Sequence, residues 1–316
     1  MRYTIITVLS AICLLTACSD KGEDMFEVPD LGYTLFKADF EDIDLAGEKS
    51  AYVWMMEKGI GVFGSEGGVN EKYVLKKAYE GKPEGEFYGP LVCGDSIRAY
   101  YPYAENFSLH DGALAYSLPA SQTYSVENTL LEQFDRYTGY AYAFKDEENG
   151  LKFHYMSGLL SVKTILSETA TFTSMKLTSP KADLAGVGKV ASDLSLSFAA
   201  GGLNSVEVDF GKGIRVREKS NDIAFPFVLP AGKYRDLKLV MKSEERDDIL
   251  VRLDSLEVRR VTAGDFMVTE VEVGPDGLGG YKVVGGIEFN YVTTKDNTEL
   301  LDKFEVVGGL DLVMKQ

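Results

Sequence analysis

The chain is a succession of short apolar runs that alternate with polar residues and are separated by turn clusters. Residues 172–177, 194–198 and 205–210 alternate strictly with period two, the pattern of half-buried strands. Residues 266–273 form one of the most regular runs of this kind, and 113–118, 140–144 and 237–241 follow it. Residues 250–258 predict a strand with Leu250, Arg252, Asp254, Leu256 and Val258 on one face. Its other face would carry Val251, Leu253, Ser255 and Glu257. Glycines at 59, 61, 64, 67 and 68 punctuate short apolar stretches, which marks strand ends. Pro102 closes the strand-like run 96–103, because proline sits at a strand end or on an edge. Residues 128–134 carry a weak helical pattern. Residues 151–166 are the longest apolar stretch beyond the N-terminus, and the β-branched Val162, Thr164 and Ile165 read as strand. Many short strands without βα alternation predict an all-β, mostly antiparallel sandwich or barrel.

The N-terminus departs from this texture. Arg2 precedes an apolar run from Ile5 to Leu15, shorter than the roughly 20 residues that a spanning helix needs. It fits the hydrophobic region of a secretory signal. Leu15-Thr16-Ala17-Cys18 follows and resembles the bacterial lipobox. That resemblance implies cleavage between Ala17 and Cys18 and acylation of Cys18, with the outer membrane holding the chain through lipid. Several acyl chains anchor far better than one, at about 0.8 kcal/mol per buried methylene. Ser19-Asp20-Lys21-Gly22-Glu23-Asp24 resembles the acidic export signal of surface lipoproteins in Bacteroidetes-type bacteria, and such a charged stretch also reads as a solvated tether.

Composition narrows the function classes. At 316 residues, two domains are the natural expectation. The net charge of −16 argues against nucleic acid and against binding to anionic membrane surfaces. Of three cysteines, Cys13 leaves with the signal and Cys18 carries lipid, so Cys93 has no partner for an internal disulfide. Its Leu-Val-Cys-Gly context reads as a small buried strand residue.

No catalytic, metal or cofactor constellation stands out. The two histidines are far apart in sequence; His110 reads as an exposed turn residue and His154 as a hydrogen-bonded core residue. Neither a zinc-ligand spacing nor a Gly-x-Ser-x-Gly elbow occurs. The acidic runs 39–44 and 244–248 lack the EF-hand spacing and read as charged turns. With 18 Tyr and 17 Phe, exposed rings could stack on sugars. Tyr100, Tyr101 and Tyr103 are the candidates, with Tyr137, Tyr140 and Tyr142 behind them, yet alternation sends at least half of such residues inward.

Five pieces recur in an order that resembles the fimbrillin-like family of Bacteroidetes-type surface lipoproteins. They are Gly59-Ile60-Gly61-Val62-Phe63 with Asn70 and Tyr73, Ile97-Arg98-Ala99-Tyr100-Tyr101-Pro102-Tyr103, and Leu118-Pro119-Ala120-Ser121-Gln122. Residues 151–162 and Phe225-Pro226-Phe227-Val228-Leu229-Pro230-Ala231-Gly232-Lys233-Tyr234 complete the set. The resemblance implies two β-sandwich domains of transthyretin-like type. It implies lipoprotein secretion and, in some members, assembly with other fimbrial subunits by strand exchange after a protease removes the first strand. Polymerising members rely on an arginine-specific cut early in the first domain. Here no arginine lies between Cys18 and Ile97, although Lys21, Lys37, Lys49 and Lys58 do. That favours a member which keeps its first strand and its lipid.

The expected organisation is a signal peptide at 1–17, a lipidated tether at 18–31, and β-sandwich domains at 32–150 and 151–316. The expected role is a non-catalytic fimbrial anchor, accessory subunit or adhesin at the cell surface, with host or glycan ligands. A carbohydrate-binding lipoprotein of a glycan-uptake system is the alternative.

Overall fold

The protein is seen in a computed structural model that describes residues 33–40, 53–65, 68–94, 96–145, 150–199, 201–261, 267–293, 298–307 and 311–314. Chain contacts divide it into residues 1–32 and 33–316, and all described residues belong to the second unit. Strand makes up 59% and helix 4%, so the all-β expectation holds.

The first strands are β1 (Tyr33–Phe40), β2 (Ile60–Phe63), β3 (Glu71–Leu75), β4 (Gly85–Pro90), β5 (Arg98–Tyr101), β6 (Leu109–His110), β7 (Ala113–Leu118) and β8 (Ser121–Thr123). Helix α1 (Leu130–Tyr137) follows, then β9 (Ala141–Phe144) and β10 (Gly150–Tyr155). Hydrogen bonding runs round β1-β10-β9-β5-β2-β3-β4, so the sheets of this half are joined at both edges and close into a barrel. The remaining strands are β11 (Ser157–Thr164), β12 (Ala170–Thr178), β13 (Gly186–Val190), β14 (Leu196–Phe198), β15 (Ser205–Val216), β16 (Ala224–Pro230), β17 (Gly232–Ser243), β18 (Ile249–Val258), β19 (Met267–Pro275), β20 (Tyr281–Thr293), β21 (Thr298–Val307) and β22 (Asp311–Met314). They build a six-stranded sheet, β16-β11-β19-β20-β21-β22, and a five-stranded sheet, β18-β17-β12-β15-β8. A four-stranded sheet, β14-β13-β7-β6, joins strands from both halves. Most pairs are antiparallel; β1–β10, β11–β19 and β15–β8 are parallel.

Apolar side chains gather in two cores. The first takes mainly residues from Phe36 to Leu159, with Trp54 at its centre and the later Val190, Val228, Val261 and Val268 added. The second runs from Leu160 to Val273. The long apolar stretch 151–166 is therefore two strands broken at Met156. β10 belongs to the barrel and β11 to the six-stranded sheet, and the change of core falls inside the run. Helix α1 starts later than its sequence pattern suggests, because Thr129 caps it. Thr129 Oγ1 accepts from Glu132 N at 3.2 Å, and the Glu132 carboxylate accepts from Thr129 N at 2.7 Å. This reciprocal box satisfies two donors that a helix start leaves open.

The two-face reading of residues 250–258 needs correction. Val251 and Leu253 are buried on one phase, Leu256 and Val258 on the other, while Asp254 and Ser255 between them are both exposed. The neighbour β17 changes phase at the same level, between Tyr234 and Leu237. Its Asp236 takes a positive φ of 58°, a left-handed conformation that Asp tolerates better than most residues. Its carboxylate accepts from Arg252 at 2.5 Å and from Lys181 at 3.2 Å. A shared kink thus lets both halves of two strands face one core.

Candidate functional site

The first strand is the natural place to begin. Along β1 the burial alternates, with Phe36, Ala38 and Phe40 inward and Tyr33, Leu35 and Lys37 outward. The inward side chains join an aromatic cluster. The Phe40 ring stacks on Trp54 at 4.6 Å and on Tyr155 at 5.8 Å, and Phe36 lies 5.5 Å from Tyr73. Burying each phenylalanine stabilises the fold by about 1.5–3 kcal/mol. The backbone of β1 is paired on both sides, antiparallel to β4 from Tyr33 to Ala38 and parallel to β10 from Lys37 to Phe40. β1 therefore fills a slot between two strands whose backbone groups would otherwise be open. Lys37 and Lys58 are exposed. Arg98 is half-buried at the start of β5, and its guanidinium donates to the carbonyl of Gly112.

A second edge, that of β16, is closed by other means. Residues 224–230 run antiparallel to 157–163 of β11. Backbone groups of alternate residues in such a strand point to the same side, and those of Val228 are bonded to Gln122, so Pro226 and Pro230 share that side, away from β11. The two prolines have no N–H to offer. The N–H of Val228 is donated to Gln122 Oε1 at 3.0 Å, and its carbonyl accepts from Gln122 Nε2 at 2.8 Å. Gln122 is fully buried and sits on β8, in the other sheet. It takes the place of a neighbouring strand at that level. Nothing in the local sequence marks this role; Gln122 and Val228 belong to two separate pieces of the family pattern, and only the fold brings them together.

The tyrosine row is not an exposed platform. Tyr100 and Tyr101 are 0% and 6% exposed, because they lie on opposite faces of β5 and both faces are covered, Tyr101 by Phe40 and Trp54 and Tyr100 by Phe107 and Tyr140. Tyr100 stacks on Phe107 at 3.7 Å, and its hydroxyl donates to Asn70 Oδ1 and to the Ala104 carbonyl. Tyr103 is half-buried, with Lys72 Nζ 5.3 Å from its ring centre. Tyr142 is buried, while Tyr137 and Tyr140 are half-buried. Burial holds the hydroxyls protonated: desolvation pushes Tyr73 and Tyr101 up to about 12.

Other expected features also resolve. Cys93 is exposed, a correction to its reading as a buried strand residue. β4 ends at Pro90, and the following loop is held by Ser65 N donating to the Cys93 carbonyl at 3.2 Å. His154 is half-buried on the outward face of β10, since Leu151, Phe153 and Tyr155 take the inward positions. His110 lies at the tip of the β6–β7 hairpin, 3.8 Å from Asp111. In the acidic run 244–248, Glu245 accepts from Thr171 N and Oγ1 at 3.0 and 3.2 Å. Among the described residues no group of His, Cys, Asp or Glu is arranged to hold a metal ion. Ala17, Cys18 and most of the acidic run 39–44 lie outside the described residues.

One charged group is buried within a sheet. Glu270 on β19 is 3% exposed; it accepts from Ser161 Oγ at 3.2 Å and pairs with Lys163 Nζ at 3.1 Å. Loss of water raises its pKa above the usual carboxylate value, and the Lys163 charge only partly offsets this.

No family model matches the chain, and no curated protein matches it. Solved structures do show a likeness. A candidate cell adhesion protein from Bacteroides ovatus is 12% identical with a TM-score of 0.46, covering 90% of this chain and 99% of that one. A second candidate cell adhesion protein, from Bacteroides uniformis, is 12% identical with a TM-score of 0.43, covering 86% and 99%. A tip fimbrial protein from Porphyromonas gingivalis, with a C-terminal truncation, is 9% identical with a TM-score of 0.36, covering 87% and 98%. The structures that this chain is similar to are fimbrial and candidate cell adhesion proteins of Bacteroidetes.

Proposed function

We propose that the chain is a lipid-anchored protein of the outer cell surface, a fimbrial anchor, accessory subunit or adhesin without catalytic activity. The observation that carries this reading is the seating of β1. It is bonded on both sides, its inward residues are buried, and no arginine precedes it after Cys18. A chain of this kind keeps its first strand and the lipid ahead of it. Such a subunit would attach through its N-terminus and meet other fimbrial subunits through edges and loops. The separate cores support a two-domain organisation, with the change of domain inside residues 151–166. The burial of Tyr100 and Tyr101 removes the aromatic row that would favour glycan uptake.

The test is the mass and N-terminal sequence of the protein taken from intact cells. A chain that begins at acylated Cys18 supports the anchor. A shed, unlipidated chain that begins beyond β1 and forms detergent-resistant ladders would overturn it.

A further inference from the structure

We propose that the outward face of β10, β1, β4 and β3 is a membrane-contact surface, which lies against the phosphate headgroups and acyl boundary of a lipid bilayer. The proposal rests on the reading of Cys18 as the lipid anchor.

Register defines the face. Opposite residues of an antiparallel pair share a side of the sheet. Tyr33 stands opposite Pro90, Leu35 opposite Tyr88, and Lys37 opposite Glu86. Val74 of β3 stands on the far side of Tyr88, and Lys72 and Lys76 flank it on the same face by alternation. On the other side of β1, Lys152 lies level with Asp39. The middle of this face is apolar. Tyr33 is 49% exposed, Leu35 44% and the adjoining Leu91 53%, with Tyr88 and Val74 half-buried between them. The rim is cationic. Lys37, Lys72, Lys76 and Lys152 stand against Asp39, Glu86 and, by the alternation of β4, Glu84, four charges against three, with Lys76 paired to Glu86 at 2.7 Å, in a chain whose net charge is −16. Long amphipathic lysines around tyrosine and leucine suit a headgroup boundary, where stems lie on apolar surface and ammonium groups reach phosphate.

The net charge of the whole molecule does not decide this contact. At physiological salt, charges farther away than a Debye length of about 8 Å are largely screened, so the residues that face the lipid count most. Chain length then selects the occupant. Tyr33 opens β1, fifteen residues after Cys18. Fully extended, fifteen residues span about 50 Å, so a lipid on Cys18 would hold Tyr33 within that distance of the bilayer. Tethering turns a weak contact into an intramolecular one, with an effective concentration on the order of millimolar.

The test uses the mature chain with Cys18→Ser, made without lipid, in flotation with two kinds of vesicle. One kind is phosphatidylcholine; the other mixes phosphatidylethanolamine and phosphatidylglycerol. The unlipidated chain should float with the phosphatidylglycerol vesicles at low salt and be released at high salt. Lys37→Glu with Lys152→Glu should lower partitioning about tenfold or more, since each lysine near an anionic surface contributes about 1 kcal/mol. Leu35→Asp should lower it too. Melting curves check folding; the charge-reversal pair, at exposed positions, keeps the test decisive should Leu35→Asp unfold. An unlipidated chain that ignores phosphatidylglycerol vesicles, or variants that float as well as their parent, would overturn the proposal. So would sedimentation that shows a dimer dissolved by Leu35→Asp, which would assign the face to a second copy. Failure of the anchor reading shows separately, as a missing lipid mass on Cys18 of the cell-derived protein.

Discussion

The side-chain amide of Gln122 hydrogen-bonds both backbone groups of Val228, a residue 106 positions away, at 2.8 and 3.0 Å. Neither group has water as an alternative, because both residues are fully buried. Together with Pro226 and Pro230, the contact leaves the outer side of β16 from residue 226 to residue 230 without an N–H for a foreign strand. Exposed edges are templates for unwanted pairing, and proline is a common way to blunt them.

Gln122→Ala should destabilise the fold by about 2–4 kcal/mol, since a buried donor and a buried acceptor both lose their partner at about 1–3 kcal/mol each. Urea unfolding of the variant and its parent checks this. A loss under about 0.5 kcal/mol, the usual scale of a neutral surface change, would refute the strand-surrogate role.

Gly61 and Tyr100 stand opposite each other on β2 and β5, and a Cβ at 61 would lie 2.0 Å from the Tyr100 ring. Gly61→Ala should cost about 1–3 kcal/mol by overpacking. In a Tyr100→Ala background most of that cost should vanish. A double-mutant cycle reads the difference, and additive losses would mean that the ring is not the obstacle.

Glu270 holds its proton more tightly in the native state than in the unfolded chain, because burial raises its pKa. Between the unfolded value near 4.5 and the raised native value, the native state binds more protons, so stability falls as pH rises through that window. Glu270→Gln lacks this linkage. The parent should therefore gain stability relative to the variant as pH drops towards 4.5, in urea midpoints collected across that range. A difference that does not change with pH would contradict the assignment.

The buried tyrosines act at the other end of the scale. Tyr73 and Tyr101 titrate at about 12 in the fold against 10.0 in the unfolded chain. The unfolded state loses protons first, so stability should fall as pH climbs from 10 towards 12. Phenolate absorbance should stay below full ionisation of the chain's tyrosines until the fold opens. Full ionisation in a chain that keeps its native circular dichroism would show that these rings are accessible.

Much of the fold is legible in the chain itself. Period-two alternation finds β12 and β19 to within a few residues at each end, and the first half of β15 and the middle of β17. The alternation of β18 misleads about its faces. The kink at Asp236 that changes its phase belongs to the neighbouring strand, and a single-strand pattern cannot contain it. The run 151–166 reads as one strand because nearly every residue in it is buried. Its division between barrel and sheet depends on which strands flank each half. Cys93 looks like strand because Leu91 and Val92 precede it, yet pairing ends at Pro90. The tyrosine row looks like a binding surface by residue type, and packing on both faces of β5 buries two of its three rings.

The sequence by itself determined the all-β class, the lipobox-like stretch at Cys18, the lack of arginine between Cys18 and β1 and the positions of the turns. These follow from local chemistry: which residues alternate, which break a strand, and which short motif a stretch carries. Only the tertiary structure decided which face of each strand is inside, how β1 is held between β4 and β10, and that Gln122 closes the edge at Val228. Burial and pairing are made between segments far apart in the chain, so they depend on the register of partners that no short stretch encodes.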